Sequence, residues 1–213
     1  MGSPFKGETM SLSCSGCNAP KPSVDPRFRR ALWIALVINA LMFFVEIVAS
    51  VNSGSVSLLA DAIDFFGDAA NYALSLAVLA MPLATRARAA LFKAACMGAF
   101  GIFVLGRAVW VWQTGAVPEP VTMGTVAVAA LVANVGVAML LYAFRSGDAN
   151  MRSVWICSRN DAIGNIAVGL AALGVVSTGS AWPDLIVACF MALLALSGAY
   201  TVLRQAREEL RLA

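Results

Sequence analysis

The chain has 213 residues, 60 % of them hydrophobic and 13 % charged, with a mean hydropathy of +0.80, and this leaves too little polar surface to clothe a water-soluble globule. The net charge of +3 is small and the basic residues stand in short clusters between apolar runs, which argues against nucleic acid as a partner. No histidine occurs, so any metal or proton chemistry must rest on Asp, Glu, Cys and backbone groups.

Residues 1–28 are polar, contain Gly, Ser and Pro without helical period, and are expected to form a flexible cytoplasmic tail. Within them Cys14 and Cys17 form a lone CxxC, whose functional reading is capture of a soft metal and whose plainer reading is a pair of reduced thiols. Cys96, Cys157 and Cys189 lie inside apolar runs, and the total of five is odd, so a disulfide framework is not expected.

Residues 29–205 are expected to form an all-α membrane domain of six transmembrane helices, over approximately 30–51, 56–81, 89–112, 121–144, 153–176 and 182–203. Each run is near the ~20 residues that cross ~30 Å of hydrocarbon. Arginines gather before the first span (Arg27, Arg29, Arg30), after the second (Arg86, Arg88), after the fourth (Arg145, Arg152) and after the sixth (Arg204, Arg207). The other three connectors have no Lys or Arg, so the positive-inside rule places both termini in the cytoplasm. Residues 206–213 read as a short cytoplasmic tail with no soluble C-terminal domain.

The spans carry polar residues that hydrocarbon does not tolerate without a reason. Asn39 and Glu46 share a face of the first. Asn39 is expected to bond a neighbouring helix and Glu46 to lie near the outer interface, protonated or solvated, with a ligand role for either as the alternative. In the second span Asp64 and Asp68 are i and i+4, and Asp61 lies a turn farther out as a vestibule residue. Two carboxylates stacked in a dry site need a proton or a cation between them. Lys93 and Arg107 of the third span are read as snorkelling to the interfaces, and Asn134 of the fourth as an inter-helix hydrogen-bonding residue.

The fifth span repeats the pattern, with Cys157 and Asp161 at i and i+4 and Asn165 one turn on. By the ~1.5 Å rise of a helix, Asp64 and Asp68 lie roughly 12 to 18 Å from the outer end of their span, and Cys157 and Asp161 roughly 6 to 12 Å from the inner end of theirs. Both pairs can therefore meet near the midplane as three oxygens and a sulfur. Each pair sits in the middle helix of a three-helix half, as in a transporter site at the interface of inverted repeats.

Asn39, Glu46, the run SGSVSLLADAIDFFGD and the NDAIGN segment resemble the cation diffusion facilitator family of divalent-metal transporters over most of residues 30–205. Asp64 and Asp68 occupy the paired second-span positions of that family and Asp161 matches the fifth-span Asp. Cys157 stands where the family usually has His. The resemblance implies a homodimer in a bacterial inner membrane, exporting Zn²⁺ or a similar ion against protons, with no permanent cofactor and no enzymatic activity. Asp and Cys together admit Zn²⁺, Cd²⁺ and Co²⁺ and disfavour Mg²⁺ and Ca²⁺. Two rival readings are a membrane-embedded metal sensor, for which the CxxC is the hint, and an aspartate-dependent intramembrane enzyme.

Overall fold

A computed structural model of the protein describes residues 26–77, 83–144 and 149–212, the side chains of residues 83, 84, 86, 149–160, 209 and 212 excepted. These residues form six helices, α1 Pro26–Ser53, α2 Val56–Ala77, α3 Leu83–Thr114, α4 Pro120–Tyr142, α5 Ala149–Thr178 and α6 Trp182–Leu212. The expected spans are all present. The end expected for the second lies outside the described residues, the fourth stops two residues early, and α6 continues through the residues expected to be a separate tail.

Five of the helices contain stretches long and apolar enough to cross a membrane. The exception is α2, whose Asp61, Asp64 and Asp68 break its apolar character although it packs against α1, α3, α5 and α6. The reason the others are apolar all round is visible on α1: Trp33, Val37, Leu41, Phe44, Val48 and Val51 are exposed turn after turn, while Asn39 and Glu46 on the opposite side are buried. A helix with lipid on one side and protein on the other has no polar face to show. The described residues are all α-helical, and the protein is a multi-pass membrane protein.

The most extensive helix contacts are α1 with α2, α4 with α5, and α3 with α6. The α1–α2 and α4–α5 pairings are alike in the two three-helix halves, and α3 pairs with α6 across them. An apolar core of Leu58, Ile63, Val104, Met123, Val168 and Leu185, among others, joins α1 to α6. A smaller cluster near the start of α1 joins Phe28 and Leu32 to Tyr72, Val137 and Leu141. Phe28 also stacks on Phe144, with ring centroids 5.2 Å apart.

Gly98 and Gly101 of α3, small residues that in sequence suit either contact with a second copy or packing within one protomer, face α6 of the same chain. A Cβ at Gly101 would meet Leu196 at 3.0 Å, and one at Gly98 would meet Ala199 at 3.9 Å. Small residues here let two helices of one protomer approach.

The outer end of the bundle is tightly stitched. The α1–α2 connection is Gly54 and Ser55 alone, and Gly54 turns the chain with φ of 71°, a conformation that costs glycine little. Asp184, in the first turn of α6 and fully buried, accepts hydrogen bonds from the Ser55 hydroxyl at 2.7 Å and from the N–H groups of Val56 and Ser57 at 2.8 and 3.0 Å. The donors that the start of a helix leaves unpaired are thus satisfied by a side chain from another helix. Glu119 caps α4 in the ordinary way, accepting from Val121 and Thr122 N–H at 2.9 and 2.6 Å, while its own N–H donates to the Ser53 carbonyl at 2.8 Å.

Candidate functional site

Midway along α2, Asp64 and Asp68 follow from the i, i+4 spacing onto one face, and α5 brings Asp161 against both. The Asp161 carboxyl stands within hydrogen-bonding reach of Asp64 and of Asp68. Tyr72, a further turn along α2, donates its hydroxyl to Asp68 Oδ2 at 3.2 Å. One Asp161 oxygen, Oδ2, is buried and receives no hydrogen bond. A cavity of about 460 Å³ reaches Asp64 and Asp161 between Met97 of α3, Gly164 and Ala167 of α5, and Phe190, Met191 and Leu194 of α6. Apolar walls with acidic groups at one end suit a cation that must lose its water, since each carboxylate oxygen replaces hydration that the walls cannot provide.

Cys157 lies in α5 one turn before Asp161, but its side chain is outside the described residues, as are Cys14 and Cys17. Among the described residues, no three Cys, Asp or Glu side chains converge in metal-ligand geometry. The three aspartates adjoin one another without forming a finished cage. Cys96 and Cys189 are free thiols without acidic companions in sequence.

A second acidic pair sits one turn outward. Glu46 is fully buried rather than solvated at the interface, and its carboxyl faces that of Asp61, itself 1 % exposed. Glu46 and Asp61 stand within hydrogen-bonding reach of each other, as one shared proton would allow, and no other N–H or hydroxyl is directed at either Glu46 oxygen or at Asp61 Oδ2. At the corresponding level of α5, Asn165 is 1 % exposed and both polar atoms of its amide lack a partner. Asn39 bonds not a neighbouring helix but the Ala35 carbonyl of its own, at 2.9 Å, and its Oδ1 is left over, as is Asn134 Oδ1 on α4. Such groups are rare in native interiors.

Lys93 also departs from expectation. It is 5 % exposed, donates to the Asn71 side-chain carbonyl, and acts electrostatically on Asp64 and Asp68 instead of reaching an interface. Asp184 was not signalled by any pattern: an acid in the first turn of a helix reads as a partner for that helix's own dipole. Its actual partners are as many as 129 residues away in sequence.

Six helices, five of them with stretches apolar enough to cross a membrane, surround buried acidic side chains, and a family model for the cation efflux transmembrane domain matches residues 32–211. The chain belongs to the cation efflux family. It is similar to the zinc transporter ZitB of Escherichia coli, with 30 % identity over 204 residues that cover 87 % of this chain and 63 % of that protein. It is similar too to the metal cation efflux system protein CzcD of Cupriavidus metallidurans, with 26 % identity over 187 residues, 82 % of this chain and 59 % of the relative. The chain thus spans about three fifths of the length of these relatives.

Proposed function

We propose that this chain exports a divalent transition-metal ion from the cytoplasm in exchange for protons, with Asp64, Asp68, Asp161 and Cys157 as the metal ligands near the midplane. The observation that carries this reading is Asp161 of α5 standing against both Asp64 and Asp68 of α2. Helices from the two halves of the bundle then hold one ion jointly, so a movement between halves can load or release it. Three carboxylates and a thiolate carry a formal charge of about −4 against +2 on the metal. Protons taking the place of the departing metal restore the balance, and alternating exposure makes the cycle an antiport. Zn²⁺ is the favoured cargo, with Cd²⁺ and Co²⁺ also suited to mixed Asp and Cys ligands. The name of the zinc transporter relative supports the same choice.

Glu46, Asp61 and Asn165 supply an accessory station one turn outward on the exit path, and Asn39 and Asn134 supply polar atoms roughly two turns farther inward. Cys14 and Cys17 capture metal ahead of entry, and the working unit is a homodimer with both termini in the cytoplasm. The intramembrane-enzyme reading draws on Asp64 and Asp161 lying on different helices, but family membership favours transport.

Vesicles containing the purified protein and a zinc-sensitive dye should show Zn²⁺ uptake, with opposite proton movement reported by a pH dye. Asp68→Ala should reduce uptake to the background of protein-free vesicles. Equal uptake by the variant, or metal movement without proton movement, contradicts the site or the antiport respectively.

A further inference from the structure

Lys93 is a buried amine in a helix that offers it no acid. α3 contains no Asp or Glu. On α6, which packs most extensively against α3, Glu208 is exposed and pairs with Arg204 at 3.2 Å. The carboxylates on which the charge of Lys93 acts include two of α2. Asn71, which accepts from the ammonium, is three residues beyond Asp68 on that helix, and the charge of Lys93 is felt at Asp68 and at Asp64. Met97, one turn along α3 from Lys93, lines the cavity that reaches Asp64 and Asp161. The ammonium thus lies beside the cavity's acidic end, one turn inward of it, and at 5 % exposure it is not drawn off to a water interface.

We propose that Lys93 is a tethered counter-cation of the aspartate site, a positioning residue that competes electrostatically with the transported metal and so limits how tightly the site holds it. This rests on the proposed transport reading and extends it. Counting Lys93, the formal charge around the site falls from about −4 to about −3. A site of four anionic ligands buried in low dielectric would bind a divalent ion tightly and release it slowly. A fixed positive charge at short range raises the energy of the occupied state and leaves the ligand atoms in place. Affinity is given up for turnover, because binding the ion too well in its ground state slows the step that expels it. The hydrogen bond to Asn71, three residues beyond Asp68, tethers the ammonium beside the aspartate site.

The test uses the full chain in detergent for Zn²⁺ binding by calorimetry, and in vesicles for transport. Lys93→Met and Lys93→Gln should each bind Zn²⁺ on the order of tenfold more tightly than wild type. Both should show lower KM together with lower kcat, and Lys93→Arg should restore wild-type values. A lysine needed only for packing gives the opposite sign: its loss weakens binding or leaves it unchanged, and such a result in the neutral variants overturns the proposal. Should Lys93→Met not fold, Lys93→Gln, which can still donate to Asn71, decides the matter alone. Asp68→Asn separates the two levels of inference. If wild type binds Zn²⁺, Asp68→Asn does not, and the Lys93 variants match wild type, then Lys93 is not a counter-cation and the site stands. If wild type and Asp68→Asn are alike, the site itself is wrong and the Lys93 proposal falls with it.

Discussion

Two buried acidic groups in this protein, at similar depth from solvent, have opposite surroundings. Asp184 at the outer end has three donors arranged around it, two from the backbone of α2 and one from Ser55. Glu46 and Asp61, a few turns away in the same bundle, have only each other: apart from a proton the two carboxyls could share, no N–H or hydroxyl is directed at either Glu46 oxygen or at Asp61 Oδ2. A carboxylate with its hydrogen bonds complete serves to fix the fold, since removing it strands its donors. One left incomplete in the interior costs stability, and its retention makes sense where a mobile cation or proton completes it for part of a cycle.

Substitution should separate the two kinds. The largest effect on folding is expected for Asp184→Ala, which strands the Val56 and Ser57 N–H groups and should cost about 3 kcal/mol in detergent unfolding experiments, leaving Zn²⁺ affinity of the folded fraction unchanged. A melting temperature equal to wild type would remove Asp184 from the structural class. Glu46→Gln should do the reverse, lowering Zn²⁺ transport roughly tenfold with melting unchanged or raised. Loss of stability without loss of transport would make Glu46 a fold residue like Asp184.

Cys157→Ser tests the softest of the proposed ligands. It should weaken Cd²⁺ binding about tenfold and Co²⁺ binding about twofold, and equal effects would assign the thiol to packing. The smallest effect concerns Glu119. Hydrogen bonds from the Thr122 side chain and from the N–H groups of Thr122 and Val121 hold its carboxyl below the usual carboxylate range. A group depressed in the folded state stabilises above its unfolded value, and that contribution is lost as pH falls through the folded one. Glu119→Gln should therefore lower the melting temperature slightly at neutral pH and flatten its acid-side decline. A variant whose melting falls with acid as steeply as wild type would show that the cap contributes nothing.

What could be read from the chain itself follows from how local the signal is. The six helices and the Asp64, Asp68 and Asp161 group were legible because an acid in an apolar run stands out, and i, i+4 spacing fixes which acids share a face. The Glu46–Asp61 pair was not, because it depends on how α1 is rotated and slid against α2, which neither helix encodes alone. Lys93 was misread because a long side chain near a helix end can turn outward or inward, and the choice depends on a neighbour, Asn71, 22 positions away. Asp184 was invisible for a related reason: its partners belong to the other half of the chain. Cys157 was legible as a candidate, and its side chain lies outside the described residues.

The carboxylate of Asp184 holding the first turn of α2 has a mechanical meaning. It acts as a pin joining α2 to α6 at one end, and a rod pinned at one end moves in proportion to distance from the pin. Helix α2 is about 33 Å long at ~1.5 Å per residue, so a rotation of about 10° about that point would carry its far end ~6 Å. The aspartates, roughly 12 to 18 Å along at the same rise, would travel only ~2 to 3 Å. A rotation about the Asp184 contact would therefore move Asp64 and Asp68 by about a third to a half of the travel of the far end of α2.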